Sequence, residues 1–199
     1  MSKKSELGKT TQIQRIMREV QNKEVQRTHN LFLSGKKIVE LGLVQNFQDE
    51  NKQIQPAGID FTLKRVANFE SAGIIDFENI KRILPTYQEV EFNNDRVFLG
   101  YGAYLVEFNE TVSLPNNIIG IMRTRSSVFR SGAILTAGVI DPGYLGAVGA
   151  LLQVLNKKGI CFLKNAKLVQ WVFAEMDQAS EKGYKGVYNN AKSMFDSGG

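Results

Sequence analysis

Short apolar runs separated by polar turns fill most of the chain. Gln55-Pro56-Ala57-Gly58-Ile59-Asp60-Phe61-Thr62-Leu63 reads as a turn entering an alternating strand, and Arg65 to Phe69, Gly73 to Phe77, Val90 to Phe92 and Val97 to Leu99 follow as further runs. Tyr104 to Phe108, Thr111 to Leu114, Ile118 to Met122, Cys161 to Leu163 and Leu168 to Phe173 continue the pattern. Many short strands at close spacing predict a mainly β fold, a barrel or a sandwich. The period differs before residue 45. Ile13, Ile16, Met17 and Val20 make one helical stripe running to about Thr28, suited to docking on the body or on a neighbouring subunit. Ser34 caps a second helix that holds Ile38, Val39 and Leu41 and ends near Gly42, and polar Gln45 to Gln53 reads as a loop. The division is a basic, partly helical extension over 1–33, a β domain over 34–178 and a Gly/Ser/Asn-rich tail over 179–199.

Chemistry concentrates in Ala137 to Gly149, AGVIDPGYLGAVG. Val139-Ile140 is a short β-branched pair, Asp141-Pro142-Gly143 is a turn signal, Tyr144 follows, and Gly146 to Asn156 resumes a strand. A strand–turn–strand hairpin thus presents a carboxylate and an aromatic ring. Both a base in a site and a mere tight turn satisfy that pattern. Gly143, Gly146 and Gly149 are spaced G-x-x-G-x-x-G, which is not the dinucleotide fingerprint. Arg123 to Gly132, RTRSSVFRSG, places three arginines and four serine or threonine hydroxyls after a strand. It suits either an anion site or a polar helix start. In the tail, Tyr184, Lys185 and Tyr188 read either as a lid over a ligand or as a mobile end.

Composition narrows the chemistry. The chain has 199 residues, 43% hydrophobic and 23% charged, ordinary for a globular protein. Residues 1–30 carry seven basic against three acidic residues, so most of the net charge of +5 sits there and the body is nearly neutral. The arm reads as a solvated or docking segment, with nucleic-acid contact as the alternative. The single Cys161 forms no internal disulfide and reads as a small core residue. The single His29 excludes histidine triads and multi-histidine metal sites within one chain, leaving carboxylates, Lys, Tyr or water for acid–base work. Gly8-Lys9-Thr10 lacks the upstream glycine and strand of a phosphate-binding loop. No apolar run of membrane-spanning length and no apolar leader is visible, so a cytoplasmic protein without a membrane partner is expected.

The ordered motifs PAGIDFTL (56–63), RTRSSVFRSG (123–132), AGVIDPGYLG (137–146) and NAKLVQWVF (165–173) resemble the motif series of the dUTPase and dCTP deaminase superfamily, over roughly Ser34 to Phe173. FNETVSLPNNIIGIMRTRSS is similar to that family's run into its Arg-Ser-Ser motif, and the helix at Ser34 to Leu43 looks like that of the deaminase and archaeal branch. The resemblance implies a distorted β barrel of the β-clip type with short N-terminal helices, assembled as a homotrimer with active sites between subunits.

It also implies roles. Asp141 would hold or deprotonate the attacking water, and Tyr144 would pack on the deoxyribose. Backbone groups of the hairpin at Ala137, Val139 and Ile140 would read the uracil, and Arg125, Ser126, Ser127 and Arg130 would contact phosphates. Gln170 would touch phosphate or base, Tyr184, Lys185 and Tyr188 would belong to the tail lid, and Asp60 would address water bound to Mg2+. A glutamate follows the aspartate by ten residues in the deaminases; here Leu151 stands there, and leucine transfers no proton. Lys167 replaces the usual fourth-motif arginine, keeping charge but losing the fork. The expectation is a Mg2+-dependent dUTPase making dUMP and pyrophosphate. A dCTP deaminase, alone or bifunctional, and a catalytically silent nucleotide-binding protein of the same fold are the alternatives.

Overall fold

The computed structural model describes residues 32–195. The helix expected over 13–28 and His29 lie outside them. Ser34 caps α1 (Gly35–Glu40) as the sequence indicates, its hydroxyl accepting from Lys37 N–H at 3.2 Å. Gly42, at φ +65°, then turns the chain in a conformation that favours glycine.

Between residues 44 and 55 the expected loop holds more order: β1 (Val44–Gln45), α2 (Glu50–Gln53, capped by Asp49) and β2 (Ile54–Gln55). The organising strand is β3 (Gly58–Phe69). The two runs read from the sequence are one strand here, joined across a register shift between Leu63 and Arg65. β4 is Tyr87–Glu89, β5 Arg96–Leu99, β6 Gly102–Ser113, β7 Ile118–Thr124 and β8 Ala133–Thr136. α3 (Ser126–Arg130) separates the last two, and β9 (Leu145–Val154), β10 (Ile160–Leu163) and β11 (Lys167–Glu175) complete the set.

The main sheet runs β7-β11-β3-β6-β9-β8, antiparallel throughout, with β1 on β6, and β2 and β4 on β3. Its two end strands meet and nearly close it. The Thr124 hydroxyl donates to the Leu135 carbonyl at 2.8 Å and accepts from Leu135 N–H at 2.9 Å. At the other end of β7, Gly120 and Ile140 exchange both backbone bonds, at 3.0 and 2.9 Å. Inside, Phe61 meets Phe108 edge-on at 5.9 Å and Trp171 at 6.0 Å, with Phe173, Leu63 and Leu152 filling in. β5 and β10 form a separate ribbon.

Three expectations fail here. Val90 to Phe92 follows β4 and belongs to no strand. Gly73 to Phe77 is no strand: residues 70–86 form a projecting finger held by paired Ile74–Ile83 backbone bonds and by Asp76 accepting from Ile80 and Lys81 N–H. Ile75 and Phe77 point outward because no second layer among the described residues covers them. Cys161 is exposed rather than in the core, since its ribbon is covered on the Val97 and Phe162 side only.

One buried carboxylate ties α2 to the barrel. Glu110 accepts from Gln53 Nε2 at 2.7 Å, from the Thr62 hydroxyl at 2.5 Å and from Thr62 N–H at 2.7 Å. Gln53 also donates to the Asp60 carbonyl, while its own oxygen accepts from Gln48 and Asp49 N–H. Burial raises the Glu110 carboxyl above its ordinary value despite these donors. Glu110→Ala strands three buried donors at once and is expected to cost about 3 kcal/mol in urea unfolding; a loss under about 0.5 kcal/mol, the ordinary surface value, would exclude this role.

Candidate functional site

The aspartate motif is an arch rather than a tight hairpin. β8 ends at Thr136, residues 137–144 leave the sheet, and Ile140 returns only to pin Gly120. Pro142-Gly143 makes the turn, with Gly143 at φ +82° and Tyr144 N–H donating to the Asp141 carbonyl at 3.2 Å. Tyr144 is buried: its hydroxyl donates to the Ala147 carbonyl at 2.5 Å, and its ring packs edge-on against Tyr184, centroids 5.5 Å apart. Burial first, and then the Tyr184 phenol, pushes its hydroxyl up to about 12, so it remains a protonated donor. Asp141 stays exposed at the mouth.

Beneath the arch lies a cavity of about 280 Å3, close to the lower end of small-molecule sites, about 300 Å3. Ala137, Val139, Ile140, Asp141 and Tyr144 line it, as the sequence leads one to expect. Trp171 lines it too, with its indole nitrogen buried and unpartnered among the described residues. Tyr184, Tyr188 and Met194 of the tail complete the wall. The tail lies along the arch and β9. Tyr184 N–H donates to the Pro142 carbonyl at 2.6 Å, Leu145 N–H to Asn189 Oδ1 at 2.9 Å, and Ala147 N–H to the Ala191 carbonyl at 2.9 Å. Lys185 is exposed and lies off the cavity wall.

The remaining expected residues gather elsewhere. Asp60, 1% exposed, meets Arg125 Nε at 3.3 Å and Lys167 Nζ at 3.1 Å. Arg125 also donates to the Lys167 carbonyl, and Lys167 to that of Lys52. Gln170 stands across from Asp60 and Arg123 in register. It can lie close because Gly58 has no side chain; a Cβ there would strike the Trp171 carbonyl and lie 3.1 Å from Gln170 Nε2. The arginine-serine run does start a helix: it opens α3, with Arg125 at the cap and Ser126, Ser127 and Arg130 exposed.

The two groups sit at opposite ends of β7. Ile140 pairs at Gly120 whereas Arg125 follows Thr124, a separation of about 16 Å at strand rise. One chain therefore does not bring Asp141 and the Arg125 group to one cavity. Sequence reasoning missed Trp171 and Met194 as wall residues; being the sole tryptophan, inward of Gln170 by strand alternation, was the available signal for the first.

Asp60 does not fit a role toward magnesium-bound water. Its carboxylate is buried, and each oxygen already has a cation of the protein beside it, so a hydrated ion would have to displace Arg125 or Lys167 to reach it. Among the described residues no group of three or more His, Cys, Asp or Glu is arranged to hold a metal. Among them, too, no helix is long and apolar enough to cross a membrane.

Together the nearly closed antiparallel sheet, its arch and its roofed cavity define a mainly β barrel protein with a cavity under the arch. The chain belongs to the dCTP deaminase-like family, whose profile matches residues 22–176. A probable deoxyuridine 5'-triphosphate nucleotidohydrolase of Methanosarcina mazei is 41% identical over 149 residues, 74% of this chain and 87% of the relative. One of the same name from Archaeoglobus fulgidus is 41% identical over 160 residues, 78% of this chain and 94% of the relative. The crystal structure of 2'-deoxycytidine 5'-triphosphate deaminase from Agrobacterium tumefaciens shares the fold at TM-score 0.60 and 20% identity, over 75% of this chain and 49% of that one.

Asp60→Ala would leave Arg125 and Lys167 facing each other across an apolar gap. We expect about 2 kcal/mol of lost stability, smaller at high salt because both cations are partly exposed; thermal melts at low and high salt check it.

Proposed function

We propose that this chain is a dUTP diphosphatase, hydrolysing dUTP to dUMP and pyrophosphate. The observation that carries the reading is Asp141, an exposed carboxylate at the mouth of a cavity whose wall includes the fixed ring of Tyr144. In the reaction Asp141 holds a water and accepts its proton as the water oxygen bonds to the α-phosphorus. The bond from that phosphorus to the bridging oxygen breaks, and pyrophosphate leaves with the electron pair. Tyr144 packs on the deoxyribose; locked through Ala147, it has no slack to admit a 2'-hydroxyl. Backbone groups at Ala137, Val139 and Ile140 face the base. Mg2+ enters with the triphosphate oxygens as part of the substrate, and Asp60 instead holds Arg125 in place.

Arg125, Ser126, Ser127, Arg130 and Gln170 would take the phosphates of a nucleotide seated in the arch of a neighbouring chain. The separation along β7 supports sites shared between subunits; the rest of the reading is a homotrimer in the cytoplasm with dUTP as its partner. Residues 1–33, 34–178 and 179–199 are then arm, barrel and lid. The Leu151 side chain at the deaminase position offers no proton transfer, which favours hydrolysis over release of ammonia.

Incubated with magnesium and dUTP, dCTP, dTTP or UTP in turn, the protein should release pyrophosphate from dUTP alone and no ammonia. Ammonia from dCTP would establish the deaminase alternative, and no product from any nucleotide the silent binding protein. Asp141→Asn should keep dUTP binding and lose about 100-fold or more in turnover. Mixing Asp141→Asn with Arg130→Ala chains under subunit exchange should restore activity, because hybrid trimers contain sites with both residues intact; failure after proven exchange would place each site within one chain.

A further inference from the structure

Glu107, like Glu110, is a buried ionisable group that the proposed reaction does not use. It lies on β6 between Val106 and Phe108, which face the core, so by strand alternation Glu107 faces outward. It is nevertheless 0% exposed. Its cover consists of two basic residues of β3 and the end of the tail. Lys64 Nζ lies 2.7 Å from Oε1 and Arg65 Nη2 4.0 Å from Oε2. The Ser193 hydroxyl donates to Oε2 at 2.5 Å and Met194 N–H donates to the same oxygen at 2.8 Å. Arg65 also donates to the Ser193 oxygen at 3.0 Å and stacks its guanidinium over Phe195 at 4.3 Å, while Tyr87 flanks that ring at 6.1 Å.

The neighbouring backbone is shaped for this anchor. Glu107 stands opposite Gly149 of β9, and a Cβ at Gly149 would lie 2.8 Å from Met194 Cγ. The side chain missing at Gly149 thus lets Met194 settle against the sheet and become part of the cavity wall. Upstream of the anchor, Tyr188 and Tyr184 cross the cavity, with Arg82 of the finger stacked on Tyr188 at 5.3 Å. Burial alone would raise the Glu107 carboxyl, but Lys64, the Ser193 hydroxyl and Met194 N–H outweigh it and hold it below its ordinary value, so the anchor is ionised.

We propose that Glu107 is a positioning residue for the tail: its carboxylate clamps Ser193 and Met194 and thereby holds Tyr184 and Tyr188 over the nucleotide pocket of the same chain. The nucleotide rests on the function proposed above, whereas the clamp does not. A charge-assisted hydrogen bond is the strong kind, and here two converge on one oxygen of an anion with two cations behind it. The anchor acts at a distance from the chemistry, on when the pocket is closed.

The test is amide hydrogen exchange on the full-length protein without nucleotide, so a protein that failed to hydrolyse dUTP would still report on the clamp. In Ser193→Ala and in Glu107→Gln the amides of 184–191 should exchange about tenfold faster, the equivalent of one charge-assisted bond, with barrel amides unchanged. Ser193→Thr, which keeps the hydroxyl, should exchange like the parent. Any other pattern, including loosening in Glu107→Gln alone, overturns the proposal. Where dUTP turnover is measurable, Ser193→Ala should raise KM more than it lowers kcat.

Discussion

A carboxylate buried in a barrel needs donors or cations to meet it; neutral donors meet Glu110, whereas two cations meet Asp60. Its two partners arrive from different strands: Arg125 from the end of β7 and Lys167 from the start of β11. Satisfying one buried charge therefore fixes how those ends meet, and other bonds follow from it. Arg125 N–H reaches the Leu168 carbonyl, and one residue earlier Thr124 bridges to Leu135 and closes the seam between the end strands of the sheet. Gln53 holds the Asp60 carbonyl from the other side and hands the constraint to Glu110. Barrel closure and the placement of Arg125 share one electrostatic cause.

The same strand that carries Arg125 at one end carries the arch at the other, and this distance has chemical value. An arginine beside Asp141 in the free chain would pair with it and weaken it as a base. Kept apart, Asp141 stays exposed and unclaimed, while the guanidinium groups remain available to an incoming anion. In the proposed reaction, the triphosphate brings the two sets together across a subunit boundary, and its negative charge separates base from cations once they meet.

Much of this was legible in the chain. Alternation located β5, β7, β10 and β11 within a few residues, and Asp-Pro-Gly-Tyr located the pocket because turn chemistry and a buried aromatic are local properties. What was not legible depends on distant partners. Gly73 to Phe77 has the letters of a strand but no sheet to join, and Cys161 has the letters of a core but an uncovered face. The short helix at Glu50–Gln53 is secured by Glu110, more than fifty residues away. The tail's composition suggests mobility, yet its order comes from Pro142, Leu145, Ala147 and Glu107, none of which its own residues could announce. Asp60 illustrates the limit on function: a motif marks an aspartate as important, and only its neighbours reveal that it faces cations of the protein.

The part of the cavity wall that one chain supplies also bears on the two chemistries that this family's name and its relatives' names bring to mind. Its titratable members are Asp141 and the tyrosines 144, 184 and 188, and Tyr144 is pushed to about 12. Replacing an amino group on a pyrimidine by oxygen requires a group that takes a proton from water and returns one to the departing nitrogen, close to the ring. Leu151 is not such a group, and it sits on β9 opposite Leu105 and Thr136, beyond the stretch of that strand that borders the cavity. Displacement at phosphorus asks less of the wall. One carboxylate must orient one water, and the leaving pyrophosphate is stabilised by cations and needs no proton at the moment of cleavage. Among the described residues the wall carries one unencumbered carboxylate, Asp141, which matches the second demand more closely than the first.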